Sequence, residues 1–213
     1  MSRSRLVVRS CWTHHHIPTG YEARYLSRSG GGQHGCALAW RSSKLQEVTH
    51  TDVYFDELAQ DFKESEHLTS ELTRGNVAQV YALRLVTPPS ADTAQPAADA
   101  DKSALGIVVS NTHLYWNPWY SFVRLFQSHR LLSVLKEVSD KMGPCYPMVA
   151  LGDFNATPDG PIYHFLTHRI IAAAHMPLFL TPPDHGSAQI SVIATDAAVR
   201  KVGTLVVHRS SFR

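Results

Sequence analysis

Hydrophobic and polar positions fall into blocks whose period changes along the chain. Asn76 to Val86 carries Val77, Val80, Leu83 and Leu85 with few breakers, which predicts a strand. Leu105 to Ser110 and Met148 to Leu151 are short, continuous apolar runs, the pattern of strands buried on both faces. Between them, Phe122 to Val138 places apolar residues at 122, 123, 125, 126, 131, 132, 134, 135 and 138. That is the broad stripe of a core-facing helix, stopped by Gly143-Pro144. The order predicts one sheet built from residues 76–86, 105–111 and 147–152, with helix 122–138 on its outer face.

Flanking segments are less regular. Tyr21 to Leu26 and Cys36 to Trp40 read as strands joined by a hairpin loop over Ser27 to Gly35, which holds four glycines. Leu45 to Tyr54 alternates weakly, as an edge strand does. Asp56 to Ser70 is charged and mostly polar, a surface helix or loop. Thr87 to Ser103 is rich in Pro, Ala and Asp and cannot build a core, so residues 88–103 are expected to be a disordered insertion. Pro161 to Leu166 opens another short helix, with Thr157 or Asp159 as its N-cap. Met1 to Pro18 has no clean period, Ile170 to Leu180 no firm one, and Ile190 to Val207 holds two strand-like runs.

Composition narrows the class. A chain of 213 residues, 44% hydrophobic and 18% charged, suits one globular domain with a sizeable core. The expected division is a domain over 1–169 and a divergent tail over 170–213. A net charge of +2, pH-dependent through 13 histidines, is too small to argue for nucleic acid by itself. Cys11, Cys36 and Cys145 have no metal-type spacing and read as reduced thiols of an intracellular, first of all cytoplasmic, protein. The first 21 residues hold three arginines and no acid, faintly like a mitochondrial presequence, which Trp12 and the histidine run fit poorly. A mitochondrial or nuclear location stands behind the cytoplasmic one. No run is long enough to span a membrane, and His14-His15-His16 suits an exposed loop.

The chemistry concentrates at two strand ends. After Gly152, Asp153 and Asn155 stand two apart, and in extended backbone such positions share a face. The same residue types equally suit a turn or a helix cap. Asn111 and His113 form a second pair with the same spacing at the end of the preceding strand. Cleaving a phosphate ester needs charge neutralisation, an activated water and a stabilised leaving oxygen, and carboxylate, imidazole and amide groups supply these, the first two with a cation.

Ser110-Asn111-Thr112-His113-Leu114-Tyr115-Trp116-Asn117-Pro118, Val123-Arg124-Leu125-Phe126-Gln127 and Leu151-Gly152-Asp153-Phe154-Asn155-Ala156-Thr157-Pro158-Asp159-Gly160 together resemble the endonuclease/exonuclease/phosphatase superfamily. The resemblance is to its branch of CCR4-type deadenylases, nocturnin, Angel and 2′-phosphodiesterase proteins, and covers about Trp12 to Leu166. It extends to the Gly20-to-Arg41 hairpin and to Gly75-Asn76-Val77-Ala78. It implies an α/β fold, a four-layer α-β-β-α sandwich with the site at one rim. By the same resemblance, Asp153 would be the metal-associated carboxylate that orients or deprotonates water, with Mg²⁺ or Mn²⁺ as cofactor. Asn155 and His113 would hold the scissile phosphate, Pro118 would wall the terminal-base pocket, and Asn76 and Asn111 would line the cleft. The implied substrate is an RNA 3′ end or a nucleotide.

Departures from the pattern qualify that expectation. The family's metal-binding Glu, in a Leu-Gln-Glu-Val string before the hairpin, has no counterpart there. Leu45-Gln46-Glu47-Val48 spells the same letters after the hairpin, and topology rather than spelling places a ligand, so Glu47 is read as coincidence. Pro183-Asp184-His185 is the one candidate for the family's late Asp-His pair. The chain is therefore expected to be truncated at both ends, as a weak hydrolase, a catalytically inactive nucleotide- or RNA-binding remnant, or a truncated or mis-assembled gene model.

Overall fold

The computed structural model describes residues 17–31, 34–86 and 105–168, together with the backbone of 206–207. Strands β1 (Tyr21–Ser27) and β2 (Gly35–Arg41) pair antiparallel as a two-stranded sheet. A five-stranded sheet has the order β3 (Leu45–Tyr54), β4 (Val77–Leu85), β5 (Gly106–His113), β6 (Met148–Asp153) and β7 (Val206–Val207). β3, β4 and β5 run antiparallel to one another, whereas β5, β6 and β7 run parallel. The helices are α1 (Phe55–Leu58), α2 (Glu66–Leu72), α3 (Ser121–Met142) and α4 (Pro161–His168).

Why the three central strands read as continuous apolar runs follows from their two faces. On one side Val80, Ala82, Val108 and Ala150 pack with Val123, Phe126, Leu131 and Leu135 of α3 and its neighbours. On the other, Tyr81, Leu83 and Val109 pack with Leu38 and Trp40 of β2, and the rings of Trp40 and Tyr81 lie 5.5 Å apart. Period-2 alternation sends successive residues to opposite layers, and both layers are dry. The parallel β5–β6 pair needs a long crossover, which α3 supplies. Leu125 and Leu132 are buried, as the layer assignment requires. Helices, large sheet and small sheet make an α/β stack consistent with an incomplete four-layer sandwich.

Two expectations change. The 56–70 stretch is more than a surface segment: Ala59 within it and Phe55 and Leu72 just outside its ends are buried in the main core, and Leu58, Phe62 and Leu68 pack against it. Those positions recur at helical spacing among charged neighbours, so their apolar stripe was diluted by the solvent face. At α4 the N-cap position belongs to Gly160, whose carbonyl accepts the His164 N–H at 3.2 Å, and not to Thr157 or Asp159. The insertion at 88–103, the His14–His16 run and nearly all of the 170–213 tail lie outside the described residues.

Candidate functional site

Parallel pairing of β5 and β6 puts Thr112 beside Gly152 and His113 beside Asp153. Gly152 is required at that point. Its φ is +132°, and a Cβ there would sit 2.1 Å from the Thr112 carbonyl oxygen. The strands can close up only because that side chain is missing. The next residue on each strand then projects from the sheet's C-terminal rim, where His113 Nε2 lies 3.8 Å from Asp153 Oδ2. That is too long for a direct hydrogen bond and short enough for both groups to contact one bound oxygen. Both are open to solvent, with side-chain exposures of 56% and 37%.

Asn155 reaches the site by a turn and not by strand alternation. β6 ends at Asp153, and Asn155 is left-handed at φ +47°, a conformation asparagine tolerates better than most residues. Its backbone N–H donates to Asp153 Oδ1 at 2.9 Å, and its amide donates to the Leu114 carbonyl at 2.8 Å. The turn and the functional readings of Gly-Asp-x-Asn therefore coincide. One Asp153 oxygen closes the turn, while the other faces His113.

Asn76 lies behind the rim. It is 2% exposed, its amide donates to the His113 carbonyl at 2.7 Å, and its Oδ1 accepts from Gln127 Nε2 at 3.2 Å. Gln127 Oε1 in turn accepts the Tyr115 N–H at 2.9 Å. Both ends of the Asn76 amide are thus occupied in holding residues 113–115, so its place is support for His113 and not the substrate contact expected. Entry to Asn76 is itself fixed: Asp56 Oδ1 accepts the N–H groups of Arg74 and Gly75 at 3.0 and 2.8 Å. Asn111 also faces inward, donating to the Ala37 carbonyl of β2 at 2.8 Å, and so ties the two sheets together below the rim.

Pro118 is exposed on the loop that follows His113. Arg124, 5% exposed, holds that loop from α3. Its guanidinium donates to the carbonyls of Asn117, Tyr115 at 3.4 Å and Pro118 at 3.1 Å, and to Ser121 Oγ at 3.0 Å. Burial pulls the guanidinium below its ordinary basicity, a cost that this set of acceptors offsets. Arg124 and Gln127 were visible as polar interruptions of an apolar helical stripe. Buried polar groups must be paired, and that was the signal for their role.

Glu47 is remote from the rim. It pairs in register with Leu83, which faces Ile107, six residues before His113 on β5 and thus about 20 Å away along the strand. There it accepts from Arg24 and sits 2.8 Å from His50 Nδ1. Asp184 and His185 lie outside the described residues. The described residues form no cluster of three His, Cys, Asp or Glu side chains able to hold a metal ion. A hard divalent cation takes several oxygen ligands, so Asp153 with the described residues does not fit a resident Mg²⁺ or Mn²⁺ site. No described helix is long and apolar enough to cross a membrane.

No family model matches the chain. Relatives do. "Carbon catabolite repressor protein 4 homolog 6" of Arabidopsis thaliana is 31% identical over 151 residues, covering 70% of this chain and 18% of that protein. "2′,5′-phosphodiesterase 12" of Mus musculus is 33% identical over 141 residues, covering 66% of this chain and 23% of that one. Among solved structures, ANGEL2, described as a 2′,3′-cyclic phosphatase in complex with adenosine-2′,3′-vanadate, superposes with a TM-score of 0.56 at 27% identity, covering 79% of this chain and 42% of that chain. The protein belongs to the endonuclease/exonuclease/phosphatase superfamily, in its CCR4/Angel/nocturnin branch. It spans only about a fifth of the length of these two curated relatives.

Proposed function

We propose that the chain carries part of a phosphodiesterase site that acts on RNA 3′ ends or a related nucleotide. One observation carries the reading: His113 and Asp153 stand in register at the ends of two parallel strands, 3.8 Å apart, with Asn155 locked beside them. His113 donates to a phosphoryl or leaving oxygen, and Asp153 Oδ2 accepts a proton from the attacking water. Asn155 fixes the Leu114 carbonyl and with it the start of the neighbouring loop. The names of the relatives, a 2′,5′-phosphodiesterase among them, support a hydrolase that works on nucleotides.

The cation that the resemblance implies, Mg²⁺ or Mn²⁺, would meet Asp153 first, but one carboxylate holds such an ion poorly against its own water. That single carboxylate favours a second reading, in which the rim binds a nucleotide without cleaving it. The experiment is release of labelled nucleotide from a short poly(A) RNA by the purified chain with Mg²⁺ or Mn²⁺. Cleavage lost in both Asp153→Ala and His113→Ala supports the hydrolase. Binding of the RNA with no cleavage in any form supports the second reading.

A further inference from the structure

The loop after His113 carries two large apolar side chains that the fold leaves in water. Trp119 is 70% exposed and Trp116 is 64% exposed, more than any other large hydrophobic residue among those described. Single exposed apolar residues are ordinary. Two indoles three residues apart beside a candidate active site call for a reason.

The loop under them is not slack. Arg124 holds three of its carbonyls, and Gln127 takes the Tyr115 N–H. Asn117 turns it, its Oδ1 accepting the Trp119 N–H at 3.0 Å and its carbonyl the Tyr120 N–H at 3.1 Å. Tyr115 and Tyr120 meet edge to face at 5.6 Å, with Arg74 over both rings at 5.2 and 4.8 Å. Trp116 leans on Tyr115 at 6.1 Å, while the Trp119 ring stacks on no other ring among the described residues. A backbone fixed this firmly beneath an exposed indole is preorganised for a flat partner, because little ordering entropy is left to lose on contact.

We propose that this loop is a stacking platform for an unpaired base flanking the scissile phosphate, with Trp119 as its principal face. The inference rests on the phosphodiesterase reading for the position of the phosphate and extends it to the neighbouring nucleotide. A phosphate at His113 and Asp153 lies within three residues of Trp116 and six of Trp119, at most about 10 and 20 Å of chain. A strand anchored there has its neighbouring nucleotide within reach of this loop, whose exposed side chains include the two indoles. Nucleobases offer a π-face whatever their identity, so the platform selects single-stranded nucleic acid over a free mononucleotide without selecting sequence.

The test uses the full 213-residue chain in EDTA, a phosphorothioate-linked adenosine hexamer and AMP, read by tryptophan fluorescence, calorimetry and melting temperature. Trp119→Ala should weaken hexamer binding about tenfold or more, while Trp119→Phe retains most of the affinity. AMP affinity and the melting temperature should stay unchanged in both variants. The proposal is overturned if the hexamer does not bind, or if Trp119→Ala binds it like the parent chain. It is also overturned if both variants lose affinity and melting temperature together, since the indole then packs against the protein itself. Hydrolysis of bis(p-nitrophenyl) phosphate with Mg²⁺ is measured in parallel. No hydrolysis alongside Trp119-dependent hexamer binding sinks the hydrolase reading and supports the platform.

Discussion

Gly152 and Thr112 touch so closely that the site depends on a missing methyl group: a Cβ on Gly152 would lie 2.1 Å from the Thr112 carbonyl oxygen. The contact sets the spacing at which Asp153 and His113 leave the sheet. Gly152→Ala adds that clash to an unfavourable φ of +132°. The expected loss is roughly 2–5 kcal/mol, from strain and overpacking together. Urea denaturation of the variant should show it as a lower midpoint, and an unchanged midpoint would mean β6 has room to shift.

Asn76 and Gln127 form a buried pair that acts on His113 and Tyr115 from behind. Asn76→Ala leaves the His113 carbonyl and the Gln127 amide without their partner, at about 1–3 kcal/mol. Because the two side chains bond to each other, Asn76→Ala and Gln127→Ala should not add. A double-mutant cycle is expected to give a coupling of roughly 0.5–3 kcal/mol. Additive losses would show that the two residues serve the rim separately.

Arg124 is held by backbone carbonyls and a hydroxyl, with no carboxylate partner among the described residues. Arg124→Lys keeps the charge but not the planar fork, and a single ammonium cannot reach the same carbonyls at once. Arg124→Lys should therefore lower the melting temperature and raise protease cleavage within 115–120, measured by limited proteolysis. Equal cleavage of variant and parent would mean the loop keeps its shape without the fork.

Alkaline pH provides a separate handle. Burial pushes the Cys36 thiol from its ordinary 9.0 up to about 11, since the thiolate would have to form inside the protein. Tyr81 is likewise pushed up by burial, from 10.0 to about 12. For both groups the native state holds the proton more tightly than the unfolded chain does. Their contribution is complete below pH 9 and declines as pH rises through 9–12. Cys36 alone accounts for about 3 kcal/mol over its part of that window. Cys36→Ala should flatten the decline between pH 9 and 11 when chemical stability is measured across that range. A decline of the same slope in the variant would remove Cys36 as its cause.

Much of this architecture was legible because the core strands are buried on both faces and the crossover helix carries a full stripe. β4, β5, α3 and β6 therefore announce themselves as apolar blocks. His113 and Asp153 were legible as polar groups at the ends of those blocks. What escaped was set by contacts between distant segments. Nothing local to Asn76 says that it hides beneath His113, because its partners are 37 and 51 residues away. The left-handed turn at Asn155 and the inward aim of Asn111 toward Ala37 have the same origin. Helix α1 was obscured for a simpler reason, its few apolar residues lying among charges.

The last prediction concerns activity, and it sets the donor count against the family name. Asp153 is joined at the rim by His113, yet the described residues assemble no three-residue cluster for a cation. Glu47 cannot complete one, since the register places it about 20 Å down the sheet. Lacking a positioned ligand or general base typically costs on the order of 10²–10⁴ in rate per group. The 213-residue chain should therefore shorten poly(A) only very weakly with Mg²⁺, and calorimetry should show Mg²⁺ binding too weak to saturate at low millimolar concentration. Asp153→Ala serves as the background for both measurements. Rapid shortening that vanishes in Asp153→Ala would mean that further ligands are supplied from outside the described residues, and Asp184→Ala and His185→Ala would be the variants to make next.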